Sequence, residues 1–127
     1  MNARTTVIIA SVMLMLGVGT GAFGAHGLRA HVAPDMLSVW QTAVLYQVFH
    51  ALGLLGVAAL RPRLHTKLAS AASLFILAGI LIFSGSLYAL VLSGVRVIGA
   101  ITPVGGVSFM IGWVIMAIAA ARGNWSD

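Results

Sequence analysis

The chain has no cysteine in 127 residues and only two carboxylates, Asp35 and Asp127. The first absence removes disulfides, thiol redox chemistry and thiolate metal sites, and with them the small quinone-linked thiol oxidoreductases of similar size. The second removes carboxylate metal ligands and the intramembrane carboxylate on which small proton-coupled multidrug exporters depend. Charge of either sign is scarce: 7% of residues carry it, against about 25% in an ordinary soluble domain. A water-facing surface cannot be built from that inventory. There is also no phosphate-binding glycine loop and no nucleophile paired with a base. An enzyme would have to be assembled from histidine, serine and tyrosine alone, so a catalytic role is set aside.

What the chain has instead is apolar length. Hydrophobic residues make up 61% of it, and the mean hydropathy is +1.08. Between Arg4 and Arg122 the only charges are Arg29, Asp35, Arg61, Arg63, Lys67 and Arg96, which leaves residues 5–28, 36–60, 68–95 and 97–121 uncharged. Each run exceeds the roughly 20 residues a helix needs to cross a hydrocarbon core of about 30 Å. The expected fold is therefore an all-α membrane protein: one domain over residues 1–127, with four transmembrane helices in a compact bundle. The first run has the positive start and small-residue end of a signal peptide, but its apolar part is longer than a signal core and predicts an uncleaved span.

Basic residues orient the helices. Four spans put Arg4, Arg61, Arg63, Lys67 and Arg122 on one side and only Arg29 and Arg96 on the other, which places the N- and C-termini in the cytoplasm. The same bias argues against the inverted dimers of small exporters and fluoride channels, whose counts balance. The net charge of +5 thus belongs to membrane edges. No basic cluster with interleaved aromatics exists to bind nucleic acid, and the expected partner is the lipid bilayer.

Local signals set the span limits at about 6–26, 36–60, 68–92 and 103–121. Gly27 suits a left-handed turn after the first helix. Pro34 and Asp35 open the second, Arg61-Pro62-Arg63 closes it, and Thr102-Pro103 reads as cap and first residue of the fourth. In the outer connection from Ser93 to Ile101, Val95, Val97, Ile98 and Ile101 are expected in the interface or folded back on the bundle. Trp40 and Tyr88 toward the outer side, and Trp125 toward the inner, have the character of interfacial anchors.

Small residues supply a packing pattern. Gly17, Gly21 and Ala25 recur every four positions beside a row formed by Thr20 and Gly24; Gly85 with Ala89, and Gly105, Gly106 and Gly112, offer comparable notches. Such faces let helices approach closely. They serve the bundle itself, and the surplus points to a homo-oligomer or a membrane-protein partner.

Polar groups within the spans are the candidate functional residues. His50 lies about 16 Å inside Arg61 at 1.5 Å per residue, near the bilayer midplane, with Tyr46 and Gln47 one turn before it on what reads as one side. A neutral imidazole there either pins helices together through Gln47, Ser84, Ser86 or a backbone carbonyl, or serves a ligand or proton. His26 sits at the outer boundary and reads as a capping residue. No cofactor is expected. A bis-histidine haem between His26 and His50 is the one arrangement with enough ligands, and the helix count separates the two in depth by about 10 Å. Ser84 and Ser86 are expected to return their hydroxyls to their own helix, with Tyr88 completing a polar outer half of the third span. The stretch from Thr102 and Pro103 to Gly106 exposes N–H groups at a helix start, where an anion could sit.

Four motifs, GAFGAHGL at Gly21–Leu28, WQTAVLYQVFHALGLL at Trp40–Leu55, FSGSLYAL at Phe83–Leu90 and ITPVGG at Ile101–Gly106, are followed by Gly112-Trp113. Together they resemble the YgdD-like family of small bacterial inner-membrane proteins, which is similar to a small eukaryotic transmembrane protein (transmembrane protein 256-like). The resemblance runs from about Gly21 to Trp113. It implies a multi-pass protein of the bacterial inner membrane with four spans, and no assigned activity. It also singles out His26, Trp40, Tyr46, Gln47, His50, Ser84, Tyr88, Thr102 and Pro103. Two functions follow as expectations: a structural or accessory component acting through helix packing, or a small-molecule or lipid binding or transport module with a polar pocket around His50, Gln47 and Thr102.

Overall fold

A computed structural model describes residues 1–126. Four helical spans account for nearly all of them, and among the described residues there is no strand. Helix α1 covers Ala3–His26 and α2 covers Pro34–Leu60. The third span is composite: α3 at Thr66–Gly79, a π-helical turn at Ile80–Ser84, then α4 at Gly85–Ser93. Helix α5 covers Thr102–Ala121. The expected limits fall within two or three residues of these bounds. The helices run slightly longer because their polar ends still satisfy helical hydrogen bonds. Asn2, for example, caps α1 by accepting from the Thr5 N–H at 2.8 Å.

Both described ends of the chain meet at one end of the bundle. Ser70 Oγ donates to Met1 O, the Asn124 N–H donates to Arg63 O at 2.9 Å, and the His65 N–H donates to Ala119 O at 3.0 Å. Arg61 joins this end by donating from Nη2 to Ser70 Oγ. At the opposite end Arg96 and Asp35 form an exposed ion pair at 3.3 Å, which ties the connection before α5 to the first turn of α2 but adds little stability in water.

Two turns differ from expectation. Gly27 stays right-handed, at φ −92°, because the chain continues directly into a 3-10 turn at Leu28–Ala30. The left-handed glycine is Gly94, φ +72°, which ends α4 with its N–H on Leu90 O. In the connection that follows, only Ile98 folds back, onto the Leu90 and Trp40 cluster, while Val95, Val97 and Ile101 face outward.

The spans pair as two hairpins. The most extensive contacts join α1 to α2 and α3 to α5. Each seam is built where glycine brings backbones together. A Cβ on Gly17 would stand 2.7 Å from Val48 Cγ2, and one on Gly24 would stand 2.6 Å from Trp40 Cδ1. In the second hairpin, the backbone and Cβ of Phe83 press on Gly105, the ring of Phe109 presses on Gly79, and Ile76 packs on Gly112. Alanines with no exposed surface, at 10, 43, 51, 69, 72 and 119, complete the seams. Lipid is as apolar as leucine, so close van der Waals fit has to hold helices together here. Three expected notches do not serve this way: Gly85 has nothing within 4 Å of a Cβ, Gly106 has one carbon at 3.9 Å, and Gly21 makes only an ordinary contact with Val44. Ala25 is exposed beside the α1–α2 groove.

The π turn divides the work of the third span. The Gly85 N–H reaches back five residues to Ile80 O. One extra residue turns the following face by about 100°. Helix α3 therefore faces α5, whereas α4 faces α2.

Gly105→Ala is expected to destabilise the folded protein by about 1–3 kcal/mol, because the new methyl meets the backbone of Phe83. Gly56→Ala meets nothing and is expected to be neutral or to stabilise by up to about 1 kcal/mol. Reversible unfolding in mixed micelles, followed by circular dichroism, measures both.

Candidate functional site

Along α2 the buried positions 40, 43, 47, 51 and 54 recur at helical spacing and define one inward face. Gln47 belongs to that face, at 4% exposure. Tyr46 and His50 lie one row away, so the three do not share a side as the sequence suggested. Two distinct arrangements result.

The first is a hydrogen-bonded chain through the interior. Gln47 Nε2 donates to Met13 O at 2.8 Å, and Tyr88 OH donates to Gln47 Oε1 at 2.7 Å. The Tyr88 oxygen lies 3.1 Å from Thr20 Oγ1, which is also 3.2 Å from Gly17 O. The Tyr88 proton goes to Gln47, so the single Thr20 hydroxyl proton is shared between Gly17 O and the Tyr88 oxygen. Trp40, 3% exposed, donates from Nε1 to Thr20 O at 2.8 Å and packs against the Tyr88 ring with centroids 4.6 Å apart. Trp40 and Tyr88 are thus interior links between α1, α2 and α4. They are not interfacial anchors, because the bare backbone at Gly24 gives the indole a seat inside the bundle. Trp125 differs: it is exposed, donates to Ala120 O and lies under Arg63 at 5.6 Å.

The second arrangement is aromatic. The His50 ring stacks on Phe109 with centroids 3.6 Å apart, and Tyr46 stacks on Phe83 at 4.3 Å. Trp113 completes the group, its ring lying where a Cβ on Gly53 would stand. His50 Nδ1 is 2.8 Å from Tyr46 O; a carbonyl only accepts, so Nδ1 carries the proton. The bond lies within α2. It pins no second helix, and it leaves neither Gln47, Ser84 nor Ser86 as a partner of the imidazole.

Of the two serines, Ser84 departs from expectation and Ser86 follows it. Ser84 Oγ donates across to Ala43 O of α2 at 2.7 Å. Ser86 Oγ donates to Phe83 O at 2.9 Å, as a local bond should, and sits 2.6 Å from Thr102 Oγ1. With the Ser86 proton used, Thr102 donates to Ser86 and joins α4 to α5. Thr102 is consequently the first residue of α5 rather than its cap, which falls at Ile101. Pro103, which has no N–H to offer, follows exposed in the first turn with Val104, while Gly105 is buried against Phe83. His26 lies exposed in the last turn of α1. The pairs Thr20–Trp40 and Met13–Gln47 fix the register of α1 on α2 and put His50 level with residue 10 of α1. His26 is about 24 Å further along at 1.5 Å per residue, so one haem cannot reach both imidazoles.

Sequence reasoning did not identify Thr20 as a polar link, Ser108, which donates to Phe75 O at 2.7 Å, or Phe109 as the partner of His50. In the sequence Thr20 stands out only for its small size, and acceptors that are backbone carbonyls leave no trace in composition.

Four helices long and apolar enough to cross a membrane, joined by interhelical hydrogen bonds, define a small polytopic membrane protein. Residues 20–106 match the family described as "Protein of unknown function (DUF423)". A UPF0382 membrane protein of Staphylococcus aureus is 47% identical over 116 residues, covering 91% of this chain and 94% of that protein. The UPF0382 membrane protein YwdK of Bacillus subtilis is 44% identical over 120 residues, covering 94% and 98%. The chain belongs to this family of membrane proteins, whose function is unknown. No solved structure matches it.

Tyr88→Phe removes one proton and leaves Gln47 Oε1 without its donor. The expected loss is about 1 kcal/mol of stability, typical of interhelical hydrogen bonds in membranes. Thr20→Val measured alone and with Tyr88→Phe should show non-additivity, whereas simple addition would mean that the two hydroxyls are not coupled.

Proposed function

We propose that this protein is a non-enzymatic accessory component of the bacterial cytoplasmic membrane, stabilising or helping to assemble a larger membrane complex, with both termini in the cytoplasm. The observation that carries this reading is how the polar side chains within the spans are used. Gln47, Trp40, Ser84 and Ser108 each donate to a backbone carbonyl of a neighbouring helix. Polar groups committed to holding helices in register are what a packing element needs, and they assemble no nucleophile with its base. The resemblance of the sequence to the YgdD-like inner-membrane proteins supports the inner-membrane location and carries no assigned activity. The basic residues gathered beside both described chain ends support the cytoplasmic placement.

The partner is a second copy of the chain or another membrane protein. Helix α1 supports this, since its extensive contacts are with α2 and most of its remaining surface faces outward. Native mass spectrometry from membranes without prior detergent extraction is expected to find the chain in an assembly. A population that is wholly monomeric, with no co-purifying protein, would refute the proposal. Single cysteines introduced near residues 2 and 124 are expected to be shielded from an impermeant maleimide in intact cells and labelled after permeabilisation.

A further inference from the structure

A lateral cleft of about 260 Å³ lies between α1 and the third span. Its walls are Met13, Leu16, Ile80 and Leu81, and the surface it exposes is almost wholly apolar, with Gln47 and Tyr88 among the residues beneath it. Pockets that enclose a whole small molecule run from about 300 to 1,000 Å³. This one is sized for a ring or a head group whose tail remains in lipid.

Two features of the cleft are not explained by packing, and a third, the π turn that phases α3 and α4, forms part of its wall. Gln47 Nε2 carries two hydrogens, and the structure gives it one acceptor, Met13 O, so a second N–H is left over on a residue that is 4% exposed and lines the cavity. Gly85 also lines the cleft, yet nothing lies within 4 Å of a Cβ there and its φ is an ordinary helical −59°. Neither packing nor backbone conformation requires glycine at a position where glycine costs about 1 kcal/mol in a helix. The π turn supplies Ile80, Leu81 and Ser84 to the same wall, and such turns recur at functional sites.

We propose that the cleft binds a neutral, carbonyl-bearing ring of the membrane-quinone type, whose oxygen accepts the unused Gln47 N–H. The lining carries no charged side chain, which excludes charged ligands. Depth excludes the ester carbonyls of diacyl lipids. Gln47 is 13 residues from either end of α2, about 20 Å from each, and so close to the midplane, whereas ester groups lie at the edge of the hydrocarbon, about 15 Å away. A ring that dissolves in the bilayer interior reaches this depth. The absence of a side chain at Gly85 leaves the space it enters. This ligand site goes beyond the accessory role and does not depend on it.

The test uses the full chain in phosphatidylcholine nanodiscs and a decyl-tailed benzoquinone, with retention measured against empty nanodiscs. Saturable retention of one quinone per chain is expected. Gly85→Leu fills open space, should fold, and is expected to abolish the saturable component. Gln47→Met keeps the volume while removing the donor, and is expected to weaken binding about fivefold to tenfold, the value of one hydrogen bond; it remains informative if Gly85→Leu folds poorly. Decylbenzene, which has no carbonyl, should fail to compete. Retention equal to that of empty nanodiscs, unchanged binding by either variant, or equal competition by decylbenzene overturns the proposal, the last by making the cleft a crevice for acyl chains.

Discussion

Hydrocarbon offers no hydrogen-bond partners, and this constraint governs the buried polar side chains of the spans, each of which is hydrogen-bonded. The solution recurs from helix to helix. A donor on one helix takes the second lone pair of a backbone carbonyl on its neighbour: Gln47 on Met13, Trp40 on Thr20, Ser84 on Ala43, Ser108 on Phe75. Because a carbonyl sits at a fixed height on its helix, each such bond sets a register as well as a contact. Burial of apolar surface cannot do this in lipid, where a slipped helix exchanges one greasy environment for another.

Small residues make those bonds reachable. The indole of Trp40 finds Thr20 O only because Gly24 lets it lie against the backbone of α1, and Ser108 reaches Phe75 O along a seam in which Gly105 and Gly112 bring α5 close to the third span. Polar links and glycine notches therefore form one device, in which the notch sets the distance and the bond sets the height.

The four spans, their limits to within a few residues and the segregation of basic residues to one end were legible in the sequence, because lipid imposes length and charge rules that act on each segment alone. Side-chain partners were less so. Tyr46, Gln47 and His50 read as one polar side, yet a single row's rotation puts Gln47 with Met13 and Tyr88 and sends His50 to Phe109. Trp40 and Tyr88 carried the amphipathic chemistry of interface anchors and were drawn inside by Gly24 and Thr20. Gly85 matched the small-residue pattern as well as Gly105 did; only three-dimensional neighbours separate an empty notch from a filled one. The π turn has no period of its own, so nothing in hydropathy announces it.

That turn gives the third span an unusual sensitivity to length. Along an ordinary helix a lost residue can be absorbed gradually, but here α3 and α4 are phased to different neighbours by one surplus position. Excising a residue between Gly79 and Gly85 would restore a regular helix and rotate Ser84, Ser86 and Tyr88 together away from α2, α5 and α1. The span thus behaves as a combination lock with one wheel, in which substitution perturbs a single tooth while deletion turns them all.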